Sequence, residues 1–174
     1  PVPIKIQLGA SLTEGLGAGS NPEVGRKAAE ESADRIIELL DANTKMLFLT
    51  AGMGGGTGTG AAPVIAEIAR EKGILTVGVV TNPFSTEGGY RKQYAEDGLA
   101  ELKKYVDTLL IINNDKLIEV YGDLTFTQAF GKANEVLNTA TKGIAEVISQ
   151  HLLVNIDLND ARKVLENSGT AVMG

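Results

Sequence analysis

The chain has 174 residues, with 16 Lys or Arg against 22 Asp or Glu and a formal net charge of −6. Its 43% hydrophobic and 22% charged composition is that of a globular protein and excludes wholesale disorder. With no cysteine and a single histidine, His151, it has no disulfides, thiolate metal sites, cysteine nucleophile or Ser-His-Asp machinery. The acidic balance and the absence of a basic run argue against a nucleic-acid surface. No apolar run approaches the roughly 18 residues of a membrane span, and no signal-peptide pattern opens the chain. One domain burying roughly 70% of its unfolded surface is expected at this length. The 21 glycines are the unusual feature, because they cluster.

In chain order, Pro1-Val2-Pro3 leads into an apolar run, Ile4–Leu8, that reads as a strand. Asn21-Pro22-Glu23 supplies a helix N-cap, a proline at the first helical position and an early acid. Val24, Ala28, Ala29, Ala33, Ile36, Ile37 and Leu40 continue at helical spacing, which predicts one helix to Leu40. Met46–Thr50, Ile74–Val80 and Thr108–Ile112 read as strands, nearly all apolar as in a sheet covered on both faces. Ala61–Glu71 and Tyr90–Tyr105 are the helices between them. Thr125 and Gln128 fit a capping box, and Phe126, Phe130, Ala133, Leu137, Ala140, Ile144 and Val147 hold one apolar stripe for about six turns. A helix over Asp157–Glu166 and a strand over Ser168–Met173 complete the pattern. This alternation predicts an α/β fold, Rossmann-like, with a largely parallel sheet, helices on both faces and a long central helix.

Met46–Thr50 runs into a loop, Gly54, Gly55, Gly56, Thr57, Gly58, Thr59 and Gly60, from which the Ala61 helix departs. Strand, glycine-rich loop and helix N-terminus make a phosphate site, since successive N–H groups and the helix dipole converge on one anion. Glycine clusters also make tight turns, but four glycines within five positions exceed what a turn requires. The loop lacks the Lys-Ser/Thr pair of a P-loop, because Ala61 follows Gly60. Thr81-Asn82 follows Val80 where a nicotinamide-dependent oxidoreductase would place a ribose-binding acid. Without a loop lysine, the phosphate charge must be met by N–H dipoles and a metal ion.

Gly-Gly-Gly-Thr-Gly-Thr-Gly at this junction resembles the signature of the tubulin superfamily, and the surrounding text is similar to the FtsZ division GTPases along essentially the whole chain. Gly15–Gly25 resembles the loop around the terminal phosphate, Val79–Gly88 the ribose loop, and Asn114-Asp115 with Ala129-Phe130 the guanine pocket. Asn155–Asp160 resembles the catalytic loop. The resemblance implies GTP and GDP as ligands, bound by Gly17, Ala18, Gly19, Ser20, Asn21, Gly54–Gly60, Pro83, Glu87, Arg91, Asn114, Phe130 and Asn134. It implies Mg2+ held mainly by phosphates and water, with no protein metal site. Glu87 would accept from the ribose hydroxyls, Phe130 would stack on guanine, and Asn114 and Asn134 would read the base edge. Read from residues alone, Glu87 is a loop acid, Phe130 a core aromatic, and Asp157 with Asp160 a helix cap.

The same resemblance makes Asn155, Asp157 and Asp160 catalytic in the site of the next subunit, a GTPase completed between copies of a head-to-tail filament. That accords with the lack of any general base near the glycine loop. A helix from Thr125 to Ser149 is about 37 Å long and would place those residues far from their own nucleotide. The implied setting is cytoplasmic, at the division septum, with accessory proteins bound through regions absent here, no nucleic acid and no direct membrane insertion. Three features depart from the family pattern: Leu152 stands where glycine is usual, Asn113 where proline is common, and Asn134 where many relatives have Asp. Residues 1–174 are expected to be a partial GTPase domain lacking the first phosphate loop and the C-terminal domain. The alternative from another class is a catalytically silent interaction module of the same fold.

Overall fold

The computed structural model describes residues 2–153, 163 and 169–173. Its elements are α1 (Ala10–Thr13), α2 (Pro22–Glu31), α3 (Ala33–Leu39), β1 (Met46–Gly52), α4 (Thr57–Glu71), β2 (Leu75–Asn82), a 3-10 turn (Ser85–Glu87), α5 (Gly89–Leu102), β3 (Thr108–Asn113), α6 (Asn114–Tyr121), α7 (Phe126–Leu153) and β4 (Gly169–Met173). The four strands form one parallel sheet in the order β1-β2-β3-β4. β2 is central, and its side chains from Leu75 to Val80 are all buried, the outcome expected of an apolar strand covered twice. Alternate residues face opposite layers. Val77 and Val79 pack with Ile112 against Val136, Leu137, Ala140 and Ile144 of α7. Val80 joins Leu49, Leu109 and Ile111 against Ala62 and Ala66 of α4 and Ala95, Leu99 and Leu102 of α5. Each buried aliphatic side chain contributes on the order of 1.5–3 kcal/mol, so both helical layers are held by the sheet they cover.

Four features differ from the sequence reading. Ile4–Leu8 is not a strand; Leu8 packs instead with Ile36 of α3 and with Leu40, and the segment pairs with no strand among the described residues. The helix expected to reach Leu40 is broken at Ser32, whose backbone leaves helical geometry and whose Oγ accepts from Gly9 N–H outside the helix. α4 begins at Thr57, not Ala61, so the second half of the glycine run is its first turn. Asn113 caps an unforeseen helix, α6, by accepting from Asp115 N–H at 3.1 Å, giving a use to the residue that stands in place of proline.

The capping box at the start of α7 forms as read: Gln128 Oε1 accepts from Thr125 N–H at 2.9 Å, and Thr125 Oγ1 accepts from Gln128 N–H at 3.3 Å. In the middle of the α7 stripe Ala133 is buried and Phe130, Leu137, Ala140 and Ile144 are half-buried, while Phe126 and Val147 at its ends are exposed. Of the helix expected over Asp157–Glu166, only Lys163, helical and exposed, is among the described residues. Among the described residues no helix is long and apolar enough to cross a membrane.

Candidate functional site

β1, β2 and β3 end side by side, with Gly52 in register with Thr81 and Asn82 with Asn113. The segments that follow them are the ones the sequence marked, and they line the carboxyl edge of the sheet, where open α/β folds hold ligands. Behind β1, Gly54 has φ +101°, a conformation favouring glycine, and a Cβ there would lie 2.9 Å from Arg91 O and 3.1 Å from Pro83 Cγ. Gly54 N–H donates to Thr59 Oγ1 at 2.8 Å, so this buried hydroxyl holds the loop onto the helix, while Thr57 is exposed. Gly56 is the N-cap of α4 and offers no side chain, no acid lies in the first turn, and the first helical N–H groups lack intrahelical acceptors. Such an N-terminus favours a nearby anion electrostatically.

The second glycine segment meets the first. A Cβ on Gly56 would sit 2.6 Å from Ala18 Cβ and 2.9 Å from both Asn21 N and Asn21 O. Gly60 rests on the backbone of Pro22 and Arg26, and Gly25 on the Gly56 carbonyl. α2 and α4 therefore lie parallel with their N-termini adjacent. They are not equivalent, however. Asn21 Oδ1 accepts from Glu23 N–H at 2.9 Å, Pro22 has no N–H, and Glu23 places an acid in the first turn of α2. The Arg26 guanidinium, hydrogen-bonded to Glu23, holds that carboxyl below its usual range. Of the two adjacent helix N-termini, only that of α4 is free of an internal counter-charge.

Behind β2, Glu87 is not a solvated acid. Its Oε2 accepts from Phe84 N–H at 2.8 Å and its Oε1 lies 3.4 Å from Arg91 NH1, with the Glu87 side chain only 11% exposed. Behind β3, Asp115 Oδ1 accepts from Ser85 N–H at 2.8 Å, tying the third loop to the second. Phe130 of α7 meets Phe84 edge-on, with centroids 5.1 Å apart, and Phe126 at 4.7 Å. Asn114 is buried and, among the described residues, no donor meets its Oδ1. Asn134, one turn beyond Phe130, is exposed. Gly56 thus meets Ala18 and Asn21, Gly54 meets Pro83 and Arg91, and Gly55 alone separates the two contacts along the chain, while Glu87 and Phe130 meet at Phe84 and Asp115, next to Asn114, ties to Ser85. Gly17, Gly19 and Ser20 follow the same loop with left-handed φ values of 78°, 56° and 59°. Asn155, Asp157 and Asp160 lie outside the described residues.

Three residues that lie inside the quoted motifs but were given no individual role matter here: Phe84 as the buried support of Phe130, Asp115 as the tie between loops, and Asn82. Asn82 Oδ1 is a second buried acceptor that no donor meets among the described residues, beside a cleft of about 180 Å³ that Pro83, Lys92 and Glu96 also line.

A family model described as "Tubulin/FtsZ family, GTPase domain" matches residues 2–122. The cell division protein FtsZ of Wigglesworthia glossinidia brevipalpis is 54% identical over 170 residues, which is 97% of this chain and 44% of that protein. FtsZ of Coxiella burnetii is 54% identical over 172 residues, 98% of this chain and 44% of its own. The chain thus spans less than half the length of these curated relatives. An empty FtsZ dimer from M. jannaschii superposes with a TM-score of 0.88 at 47% identity, covering 94% of this chain and 47% of that one. The matched segment contains both glycine loops and the ends of all three strands that carry them, and on that ground the chain belongs to the Tubulin/FtsZ family, as GTPase-domain sequence.

Proposed function

We propose that this chain is the part of an FtsZ-type GTPase that binds GTP and GDP, and that the whole protein is a subunit of the head-to-tail filament of the bacterial division ring. The observation that carries this reading is the order of the loops along one sheet edge. An uncapped helix N-terminus follows β1, a turn held by a carboxylate and carrying Phe84 against Phe130 follows β2, and an amide oxygen that is buried and unpaired among the described residues follows β3. Neighbouring strands are about 4.8 Å apart, so phosphates, sugar and base can each meet one strand end. Gly55–Thr59 would take the phosphates, Gly17–Asn21 the terminal one, Pro83, Glu87 and Arg91 the ribose, and Asn114, Phe130 and Asn134 the guanine. An acceptor such as Asn114 Oδ1 suits the N–H donors of guanine's edge. Mg2+ would be carried by the phosphates and water.

Hydrolysis would be completed by Asn155, Asp157 and Asp160 of a neighbouring copy. α7 supports this, because its 28 residues span about 42 Å from the Phe130 end of the sheet. β4 also begins in register with Thr108, the first residue of β3, so the chain has by then returned to the amino edge. A contact between two different surfaces builds an open filament rather than a closed dimer. The septal, cytoplasmic setting and the accessory division proteins follow from this reading of the whole protein.

Titration of the chain with GTP, GDP and ATP tests the binding reading. Guanine nucleotides are expected to bind more tightly than ATP; equal affinity removes the base assignment, and no binding removes the site. In a full-length protein, Asp160→Ala is expected to keep GTP binding and lose turnover. Mixing it with a subunit defective only in nucleotide binding should restore turnover, and failure of that rescue overturns the shared site.

A further inference from the structure

The loop assigned to the terminal phosphate is anchored at both ends, and its far anchor lies about 15 Å away at the other end of α2. The near anchor is the contact of Gly56 with Ala18 and Asn21. At the far end the Glu31 carboxylate accepts two adjacent backbone N–H groups, Ser11 at 2.9 Å through Oε1 and Leu12 at 3.0 Å through Oε2. The next residue, Ser32, is buried, and its Oγ accepts from Gly9 N–H at 3.0 Å. Gly9 has φ +62°, and a Cβ there would lie 2.7 Å from Ala28 Cα, so the backbone is pressed flat onto α2. These bonds meet the orphan N–H groups of α1, a single turn that could not stand alone. The Ser11 and then the Leu12 hydrogen bonds hold the Glu31 carboxyl below its usual range.

Between the anchors, Glu14, Gly15, Gly17, Gly19 and Ser20 all have left-handed φ. The hydrogen bonds within this stretch are short-range: Leu16 N–H to Thr13 O at 2.8 Å and Asn21 N–H to Ala18 O at 2.9 Å. Nothing approaches a Cβ on Gly17 or Gly19 within 4 Å, so the open side of the loop is not packed into place. Its course is set by where it is tied.

We propose that Glu31 and Ser32 are positioning residues for the terminal phosphate: they clasp residues 9–12 and thereby pre-form the Gly15–Asn21 loop against Gly56. They touch no nucleotide. The role rests on the nucleotide reading above, with the loop ordering measurable apart from it. Pre-forming a loop removes its ordering cost from the binding step, so a triphosphate, which alone reaches this loop, gains and a diphosphate does not.

The test uses the 174-residue chain carrying Glu31→Ala with Ser32→Ala, and the milder Glu31→Gln and Ser32→Thr, which keep acceptors. Without nucleotide, backbone hydrogen exchange at Ser11 and Leu12 is expected to rise about tenfold in the double variant and the increase to spread through residues 15–20, while α4 is unchanged. GTP affinity should then fall about tenfold with GDP affinity unchanged, Glu31→Gln should lie between, and Ser32→Thr should match the parent. A merely structural role lowers GTP affinity, GDP affinity and melting temperature together. Unchanged exchange in residues 15–20, or an unchanged GTP-to-GDP ratio, overturns the clasp. If the double variant melts early, Glu31→Gln alone is read by the same exchange. A parent chain that binds neither nucleotide sinks the proposed function instead, and the exchange result still decides whether the clasp orders the loop.

Discussion

α2 and α4 start at the same place and run in the same direction, yet their N-termini are opposites. α2 carries its own solution: Asn21 accepts a first-turn N–H, Pro22 removes another, and Glu23 answers the dipole. α4 carries none, with a glycine at the cap and no acid in its first turn. A helix end left without a cap in a well-packed region is an unmet requirement, one that an anion could meet, as proposed for the phosphates here. Side by side, the two show that a glycine-rich approach does not by itself make a phosphate site. What makes it is the lack of any internal partner for the N–H groups.

The largest effect that bears on this comparison is expected at Gly56. Its backbone is in the ordinary right-handed helical region, so the residue is there for space and not for φ. Gly56→Val would force Ala18 and Asn21 away, with a cost of about 1–3 kcal/mol of stability and loss of nucleotide binding. Thermal melting and GTP titration read both, and a variant that melts and binds as the parent does would break the account of the cradle. Gly55 provides the control for that result. No atom lies within 4 Å of a Cβ there, so Gly55→Ala should change stability by less than about 0.5 kcal/mol. It should nevertheless weaken GTP binding roughly tenfold or more, because the methyl stands where phosphate must approach charge-assisted donors. Unchanged GTP affinity in Gly55→Ala would place the anion elsewhere.

Asn21→Ala comes next in size. Removal of the α2 cap should cost about 1 kcal/mol, seen in melting. It also uncaps the second helix end, so a gain in affinity for a simple anion such as inorganic phosphate is expected alongside the loss of stability. Absence of that gain would mean that Glu23, not Asn21, keeps anions away from α2. The smallest effect is one of pH. The Glu31 carboxyl is held below its ordinary value, so its contribution is present above the unfolded-state pKa and lost as pH falls through the lowered folded-state value. Acidification from neutrality to about pH 3 should release the Ser11 and Leu12 amides to exchange before the β2 amides, and added salt should mimic part of the change because the group is exposed. Simultaneous release of both sets would show that these amides open only with the whole domain.

What could be read from the sequence was whatever is encoded locally or by period. The apolar runs of β1, β2 and β3, the α7 stripe with its Thr125–Gln128 box, and the Asn21 cap are each short-range statements, and each appears in the structure within a few residues. The glycine loops were visible as composition, and the family resemblance gave them roles. Errors fell where tertiary contacts overrule local preference. Ile4–Leu8 has strand character but pairs with no strand among the described residues, and Thr57–Gly60 is helical despite two glycines because their missing Cβ atoms let α4 touch Gly52 and α2. Ser32 breaks a periodic apolar stripe because its hydroxyl is committed to Gly9, 23 residues away.

By itself, the sequence determined the α/β class of fold and the order of β1, α4, β2, α5, β3 and α7, and it offered glycine loops and side chains suited to a phosphate and a purine. Those follow from patterns of period two and 3.6 and from chemistry carried within a single loop. Only the tertiary structure decided that α4 and not α2 offers the open N-terminus, that Glu87 spends one carboxylate oxygen on its own turn, that Asn82 and Asn114 keep oxygens unpaired among the described residues, and that Glu31 ties down a loop it never adjoins in sequence. Each of these is a matter of which donor finds which acceptor across the fold, and a residue's neighbours along the chain do not specify that.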